Sequence, residues 1–156
     1  MDLKQLYQDI ILEHGKSPRN FGRCKKHTHE AKGYNPLCGD KVQIFLNLNK
    51  EKKVENLTFE GSGCAISMAS TSIMTELVKG KSLEVVKKIV FDFLDMIKNT
   101  QEIKSEELDE DQKTIIMSLS GVKQYPMRVK CATLAWHTLN SAMSKKKEEV
   151  NTEAID

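Results

Sequence analysis

The strongest constraint on the fold is a change in the spacing of apolar residues along the chain. Within residues 27–61 the apolar positions recur every second residue, and the segments after this stretch repeat every three or four residues. The alternation is clearest at one set of positions: Val42, Ile44, Leu46, Leu48, Leu57 and Phe59. A period of two predicts β-strands with one buried face, whereas a period near 3.6 predicts amphipathic helices. A small sheet flanked by helices is therefore expected.

The order of the predicted elements follows from this pattern. A polar turn at 49–53 predicts a hairpin, and a third strand is expected around residues 28–33. Helices are predicted at the start of the chain, from Ala65 to a stop at Gly80, after Ser82, around Ser105 to Gly121, and after Pro126. The predicted fold is α+β: a single domain over residues 2–144, with a three-stranded antiparallel sheet and five to six helices packed on it. Residues 145–156 are charged, lack an apolar stripe and are predicted to form a disordered tail.

Composition excludes several classes of protein. A chain of 156 residues fits one domain. Its net charge of +2 is too balanced to suggest a nucleic-acid or membrane surface. The first twenty residues lack the apolar run of a secretory signal, so we expect a cytoplasmic protein. In that compartment the four cysteines stay reduced, which favours a metal site or a reactive thiol over disulfides.

Three of the cysteines occupy a similar position in the predicted fold. Cys38 lies in a turn between two strands, Cys64 begins a helix after a Gly-Ser-Gly segment, and Cys131 is in the first turn of the last helix. The N-terminus of a helix favours a thiolate over a thiol. Junctions between elements packed on one core can also lie close together, and they keep a sulfur near the surface. The three sulfurs are therefore predicted to meet at an exposed site.

Asp40 completes a set of four possible metal ligands. It follows Cys38 by two positions, and Gly39 between them allows the tight backbone that would direct both side chains to one point. Three thiolates and one carboxylate suit tetrahedral zinc or an iron–sulfur cluster. The carboxylate is the hard ligand in a soft set, so it is expected to dissociate first. The negative charge of such a site favours a nearby cation, for which Arg128 is the main candidate, with Lys41 and Lys130 behind it.

Other interpretations of these residues remain open at this point. Separated cysteines are often small core residues, and the chain has no C-x-x-C pair. Cys24 with His27 and His29 could form a second metal cluster, although a solvated surface is favoured there. His14 and His137 are expected to have packing or surface positions. A zinc hydrolase would need an H-x-E or H-E-x-x-H motif, which the sequence lacks, and a closed structural zinc site favours cysteine and histidine ligands only.

Three motifs, one around each of these cysteines, resemble those of the iron–sulfur cluster assembly scaffold family, which includes IscU-like and NifU N-terminal-like proteins. The motifs are NPLCGD at 35–40, GSGCAIS at 61–67 and RVKCATL at 128–134, and the resemblance extends over residues 3–143. Classical scaffolds have a histidine immediately before the third cysteine and a shorter second interval. This chain has Lys130 at that position and a longer interval, as in the SufU-type branch of the family.

The resemblance implies a function and a role for each residue. It implies a zinc-bound sulfur acceptor that works with a SufS-type cysteine desulfurase and supplies downstream cluster assembly proteins, rather than a stand-alone enzyme. Cys38, Asp40, Cys64 and Cys131 would bind the zinc, Cys38 would accept the sulfur, and Arg128 would support the site. The alternative within the family is a scaffold on which iron and sulfide form a transient [2Fe–2S] cluster.

Overall fold

The computed structural model describes residues 2–99, 103, 105–145 and 148–155. In chain order the elements are α1 (Leu3–Lys16), β1 (His29–Asn35), β2 (Asp40–Leu48), β3 (Val54–Ser62), α2 (Ala65–Val78), α3 (Leu83–Asn99), α4 (Glu110–Ser118), α5 (Val129–Met143) and β4 (Val150–Asn151). Short 3₁₀ helices cover Leu119–Gln124, Pro126–Arg128 and Thr152–Ala154. None of the helices in these described ranges combines the length and apolarity that a bilayer span needs.

The sheet has four strands in the order β3-β2-β1-β4. The strands β1, β2 and β3 form the predicted antiparallel meander, in which Asn35 is paired with Asp40 at the β1–β2 turn. The fourth strand is parallel to β1, with Gly33 opposite Val150 and Tyr34 opposite Asn151. The α+β class is therefore correct, but the prediction of a three-stranded, wholly antiparallel sheet is wrong. A two-residue strand is too short to show an alternating pattern in the sequence.

The same strand corrects the prediction of a disordered tail. In the described part of residues 145–156, β4 pairs with the sheet and the following Thr152 is buried. A salt bridge of 3.3 Å between Lys130 and Glu153 joins this segment to α5. Backbone hydrogen bonds and one buried side chain thus fix a segment that has no apolar stripe. Lys146, Lys147 and Asp156 of the predicted tail lie outside the described residues.

The hydrophobic core lies between one face of the sheet and the helices. Val42, Ile44 and Leu46 on β2 contribute to it together with buried residues of every α-helix. Helices α3 and α5 meet where the rings of Phe93 and Trp136 stack, with their centroids 4.0 Å apart. This packing fixes α5, and hence the cysteine at its start, against the sheet.

The acidic interval before α4 is partly buried. Asp109 caps α4 by accepting a hydrogen bond from the Gln112 backbone, and the Gln112 side chain accepts one from the Asp109 backbone. This capping box places the start of the helix after Asp109, so the start predicted at Ser105 is wrong. Ile103 and Leu108 are buried in the core and anchor the interval. Glu102 and Lys104 lie outside the described residues.

Candidate metal centre

Three of the predicted ligands meet at one end of the sheet, beside the turn that joins β1 to β2. Cys38 lies in the β1–β2 turn, Asp40 is the first residue of β2, and Cys131 lies in the first turn of α5. The two sulfurs and a carboxylate oxygen of Asp40 are all within 4.8 Å of one another. Across the described ranges, no other three cysteine, histidine or acidic side chains form such a group. The β1–β2 turn, the start of β2 and the start of α5 thus bring two of the three cysteine sulfurs and the Asp40 carboxylate together.

Cys64 lies outside this tight group but contacts it. It caps the N-terminus of α2, and its backbone N–H donates to Asp40 Oδ1 at 2.9 Å. A hydrogen bond from the Cys131 thiol, helped by backbone N–H groups of Ser67 and Ile66, lowers the pKa of Cys64 to about 6, although burial opposes the shift. The same hydrogen bond raises the pKa of Cys131, because Cys131 keeps the shared proton. This arrangement therefore favours ionisation of Cys64 over ionisation of Cys131.

Asp40 is more tightly held than the sequence suggested. The exposed fraction of Asp40 is 0%, as is that of Cys131, whereas Cys38 and Cys64 are partly exposed. Each carboxylate oxygen accepts a hydrogen bond, Oδ1 from the Cys64 backbone and Oδ2 from Asn35 Nδ2. The expectation of an exposed junction is therefore wrong for these two residues. A carboxylate fixed by two donors is also a poor candidate for the ligand that dissociates first.

Two glycines are required by the backbone of the site. Gly39 has a φ of +73°, which allows the turn between Cys38 and Asp40. Gly63 has a φ of +155°, and a Cβ atom at this position would lie 2.4 Å from Asp40 Oδ1. Gly63 is therefore needed because α2 begins directly against the carboxylate.

Among the three predicted cations, Arg128 contacts a cysteine. Its Nη1 atom donates to Cys38 Sγ at 3.5 Å, and the Arg128 side chain is exposed. Lys41 instead lies over the ring of Tyr34, 5.7 Å from its centroid. Lys130 forms its salt bridge with Glu153. The guanidinium of Arg128 thus supplies positive charge at Cys38, one of the two partly exposed sulfurs of the site.

Sequence reasoning missed Asn35. This fully buried residue donates from Nδ2 both to Asp40 Oδ2 at 3.0 Å and to Cys131 Sγ at 3.4 Å. The signal was available, because a four-residue turn between two strands places Asn35 opposite Asp40 in the antiparallel register. One amide therefore joins a ligand on the sheet to a ligand on α5.

The remaining cysteine and histidines do not form a second site in the described structure. The Cys24 thiol donates to the carbonyl of Lys26, and the His27 ring packs edge-on against Phe45 with centroids 5.2 Å apart. His29 hydrogen-bonds Thr28. The remaining two histidines lie on helices: His14 is buried against Ser72, and burial lowers the pKa of His137.

The donor set fits a zinc ion. Two sulfurs and a carboxylate within 4.8 Å of one another, with Cys64 next to them, are of the donor types found in tetrahedral zinc sites. The buried Asp40 carboxylate has no lysine or arginine among the hydrogen-bond and ion-pair partners found in the described part of the chain. A bound cation would supply the missing positive charge, since buried charges need a partner.

Comparison with known proteins identifies the family of iron–sulfur cluster assembly proteins as the class to which this fold and cysteine–aspartate cluster belong. The profile of the NifU-like N-terminal domain matches residues 6–132. The chain therefore belongs to the NifU-like N-terminal domain family, which confirms the resemblance drawn from the three motifs.

Individual relatives cover nearly the whole chain. The zinc-dependent sulfurtransferase SufU of Bacillus subtilis is 38% identical over 144 residues, covering 92% of this chain and 93% of that protein. The iron–sulfur cluster assembly scaffold protein IscU of Streptococcus pyogenes is 34% identical, and the match covers 92% of this chain and 86% of that protein. A crystal structure of the putative SUF-system scaffold protein from Fervidobacterium islandicum has a TM-score of 0.77 at 32% identity. The match covers 89% of this chain and 97% of that chain.

Proposed function

We propose that this protein is a zinc-bound sulfur acceptor, which takes persulfide sulfur from a SufS-type cysteine desulfurase and passes it to cluster assembly proteins. The observation that carries the proposal is the combination of solvent exposure and positive charge at Cys38. Cys38 and Cys64 are partly exposed whereas Cys131 is buried, and Cys38 is the sulfur that accepts a hydrogen bond from Arg128. The similarity to a protein named as a zinc-dependent sulfurtransferase supports the same function.

The proposed zinc ligands are Cys38, Asp40, Cys64 and Cys131. Zinc would supply a redox-inert charge that keeps the thiolates deprotonated and protected from oxidation. Asn35 and the Cys64 backbone hold Asp40 in place. Reduced thiols are stable in the cytoplasm, where the proposed reaction would take place.

Cys38 is the proposed nucleophile. Its thiolate attacks the outer sulfur of the desulfurase persulfide, so that a new bond forms between Cys38 and that sulfur. The sulfur–sulfur bond of the donor breaks, and the desulfurase cysteine leaves as a thiolate. The outer sulfur carries its own proton across, and no external oxidant or reductant is consumed. Arg128, 3.5 Å from Cys38 Sγ, stabilises the negative charge on the attacking sulfur.

The surface around Cys38 supports docking of a protein partner. Leu37 and Met127 are chain neighbours of the two residues in the Cys38–Arg128 contact, and their exposed fractions are 51% and 66%. Tyr125 is also exposed, at 47%. Exposed apolar side chains next to a reactive group are typical of an interaction surface. The desulfurase is therefore proposed to dock over this end of the sheet, around the β1–β2 turn.

Substitution of Cys38 tests the proposal directly. In Cys38→Ala we expect loss of desulfurase stimulation and of persulfide labelling on this protein, because the accepting sulfur is absent. Cys24→Ala is the matched control, since Cys24 makes its contacts away from the site. We expect normal transfer in that variant. Persulfide labelling and full stimulation in Cys38→Ala would contradict the assignment.

A scaffold role is the second candidate, favoured by the similarity to a protein named as an IscU scaffold. Anaerobic reconstitution with iron and sulfide separates the two functions. A scaffold develops the visible absorption of an iron–sulfur cluster, whereas the proposed acceptor stays colourless and retains about one zinc per chain. A stable, coloured [2Fe–2S] form that releases its cluster to an acceptor protein would favour the scaffold.

A further inference from the structure

The C-terminal segment reaches the candidate ligands through a chain of buried hydrogen bonds. Thr152 Oγ1 donates to Asn35 Oδ1 at 2.9 Å. Asn35 Nδ2 in turn donates to Asp40 Oδ2 and Cys131 Sγ. The exposed fraction of each of these four residues is at most 1%. The segment after β4 is thus connected to both a carboxylate ligand and a sulfur ligand by way of one amide.

The direction of this chain is fixed by chemistry. An ionised carboxylate only accepts hydrogen bonds, so the NH₂ group of Asn35 must face Asp40. The Asn35 carbonyl oxygen then faces Thr152 and needs a donor, which the threonine hydroxyl supplies. Without that donor the buried oxygen would lack its partner, and the orientation that points the amide at both ligands would lose support.

The position of Thr152 depends on tertiary contacts of the C-terminal segment. Thr152 directly follows β4, which pairs with β1 at Gly33 and Tyr34. The next residue, Glu153, forms a solvent-exposed salt bridge with Lys130 on α5, a contact that contributes little to holding the segment in place. The segment therefore touches β1, which carries Asn35, and α5, which carries Cys131.

We infer that Thr152 is a positioning residue of the metal centre, which acts by orienting the Asn35 amide toward Asp40 and Cys131. The inference rests on the proposed zinc site. Groups that orient metal ligands typically change metal affinity by about 10–100-fold when they are removed. Because Thr152 acts through one intermediate side chain, we place its effect at the lower end, about tenfold.

The experiment compares four variants of the full chain. Thr152→Val removes the hydroxyl at nearly constant volume, and Thr152→Ser restores it. Glu153→Gln is the matched control, because it weakens the ion pair of the segment and keeps the Thr152 hydroxyl. Asn35→Leu removes the amide itself. Zinc affinity is measured by competition with a chromophoric chelator, and the thermal unfolding midpoint of the zinc-free protein is measured in parallel.

The inference predicts a specific pattern. Thr152→Val should weaken zinc binding by about tenfold and Asn35→Leu by more, while Thr152→Ser and Glu153→Gln keep the wild-type affinity. If Thr152→Val lowers the unfolding midpoint but binds zinc as tightly as wild type, its role is structural and the inference is wrong. An equal loss of affinity in Glu153→Gln would also overturn the inference. The loss would then result from weaker docking of the C-terminal segment and not from the missing Thr152 hydroxyl.

A metal-free measurement separates this inference from the proposed function. The side-chain amide resonances of Asn35 in the zinc-free protein report on its hydrogen bonds. We expect them to shift in Thr152→Val and to stay in place in Glu153→Gln. If wild type fails to bind zinc, the proposed function fails, and these resonances then decide separately whether Thr152 orients the Asn35 amide. Unmoved Asn35 resonances in Thr152→Val would overturn it.

Discussion

At the scale of single residues, the Asp40 carboxylate leaves room for a glycine at position 63 but not for a residue with a Cβ atom. Gly63→Ala would place a Cβ atom 2.4 Å from Asp40 Oδ1, so the carboxylate or the start of α2 must move. We expect zinc affinity to fall by about 10–100-fold, as measured by chelator competition. Gly22→Ala is the matched control: Gly22 also has a positive φ, and a Cβ there has no atom within 4 Å. Equal affinity in the two variants would contradict the prediction.

His14 gives a second prediction at this scale. Burial, with a smaller effect from the nearby Arg19, lowers the pKa of His14, although Glu76 and Glu13 oppose the shift. The unfolded chain therefore binds a proton more readily than the folded one, so stability falls as the pH drops below about 6.5 toward the folded-state pKa. The free energy of unfolding, measured by urea titration across this range, should fall less in His14→Gln than in wild type. Parallel pH profiles would refute the prediction.

At the scale of elements, helix α3 offers a test of what fixes α5. Phe93 and Phe91 lie on the same helix, but Phe93 is fully buried against Trp136 and Phe91 is 69% exposed. Phe93→Ala should reduce the free energy of unfolding by about 3–5 kcal/mol, because it leaves a cavity between the two helices. Phe91→Ala should change it by at most about 0.5 kcal/mol. Urea unfolding measures both, and similar losses would contradict the packing described here.

At the scale of the whole molecule, the proposed metal would join distant parts of the chain. Its ligands come from the β1–β2 turn, the start of α2 and the start of α5. Zinc bound to the folded state alone should therefore stabilise the protein, by about 2.7 kcal/mol when free zinc is 100 times the Kd. A chelator should reverse the gain, Cys64→Ser should lose most of it, and Cys24→Ala should keep it. Denaturant midpoints that do not respond to zinc would contradict the proposed ligand set.

Much of the fold and the candidate site could be predicted because the signals are local. The alternation at Ile44 and Leu46 and the helical stripes indicated the meander and the helices. Cys38, Cys64 and Cys131 each follow a recognisable stop or start signal, so their position at junctions could be deduced. Their motifs also identified the family. The start of α4 was misplaced because the Asp109–Gln112 capping box outweighed the weaker signal at Ser105.

The sequence by itself determined which residue types stand at the junctions and which family the chain belongs to. Only the tertiary structure decided that Asp40 is buried, that Asn35 joins it to Cys131, and that Thr152 reaches both from a fourth strand. The physical reason is that periodicity and capping are properties of neighbouring residues. Burial, a two-residue parallel pairing and a shared amide depend on contacts between segments far apart in the chain, which local patterns do not record.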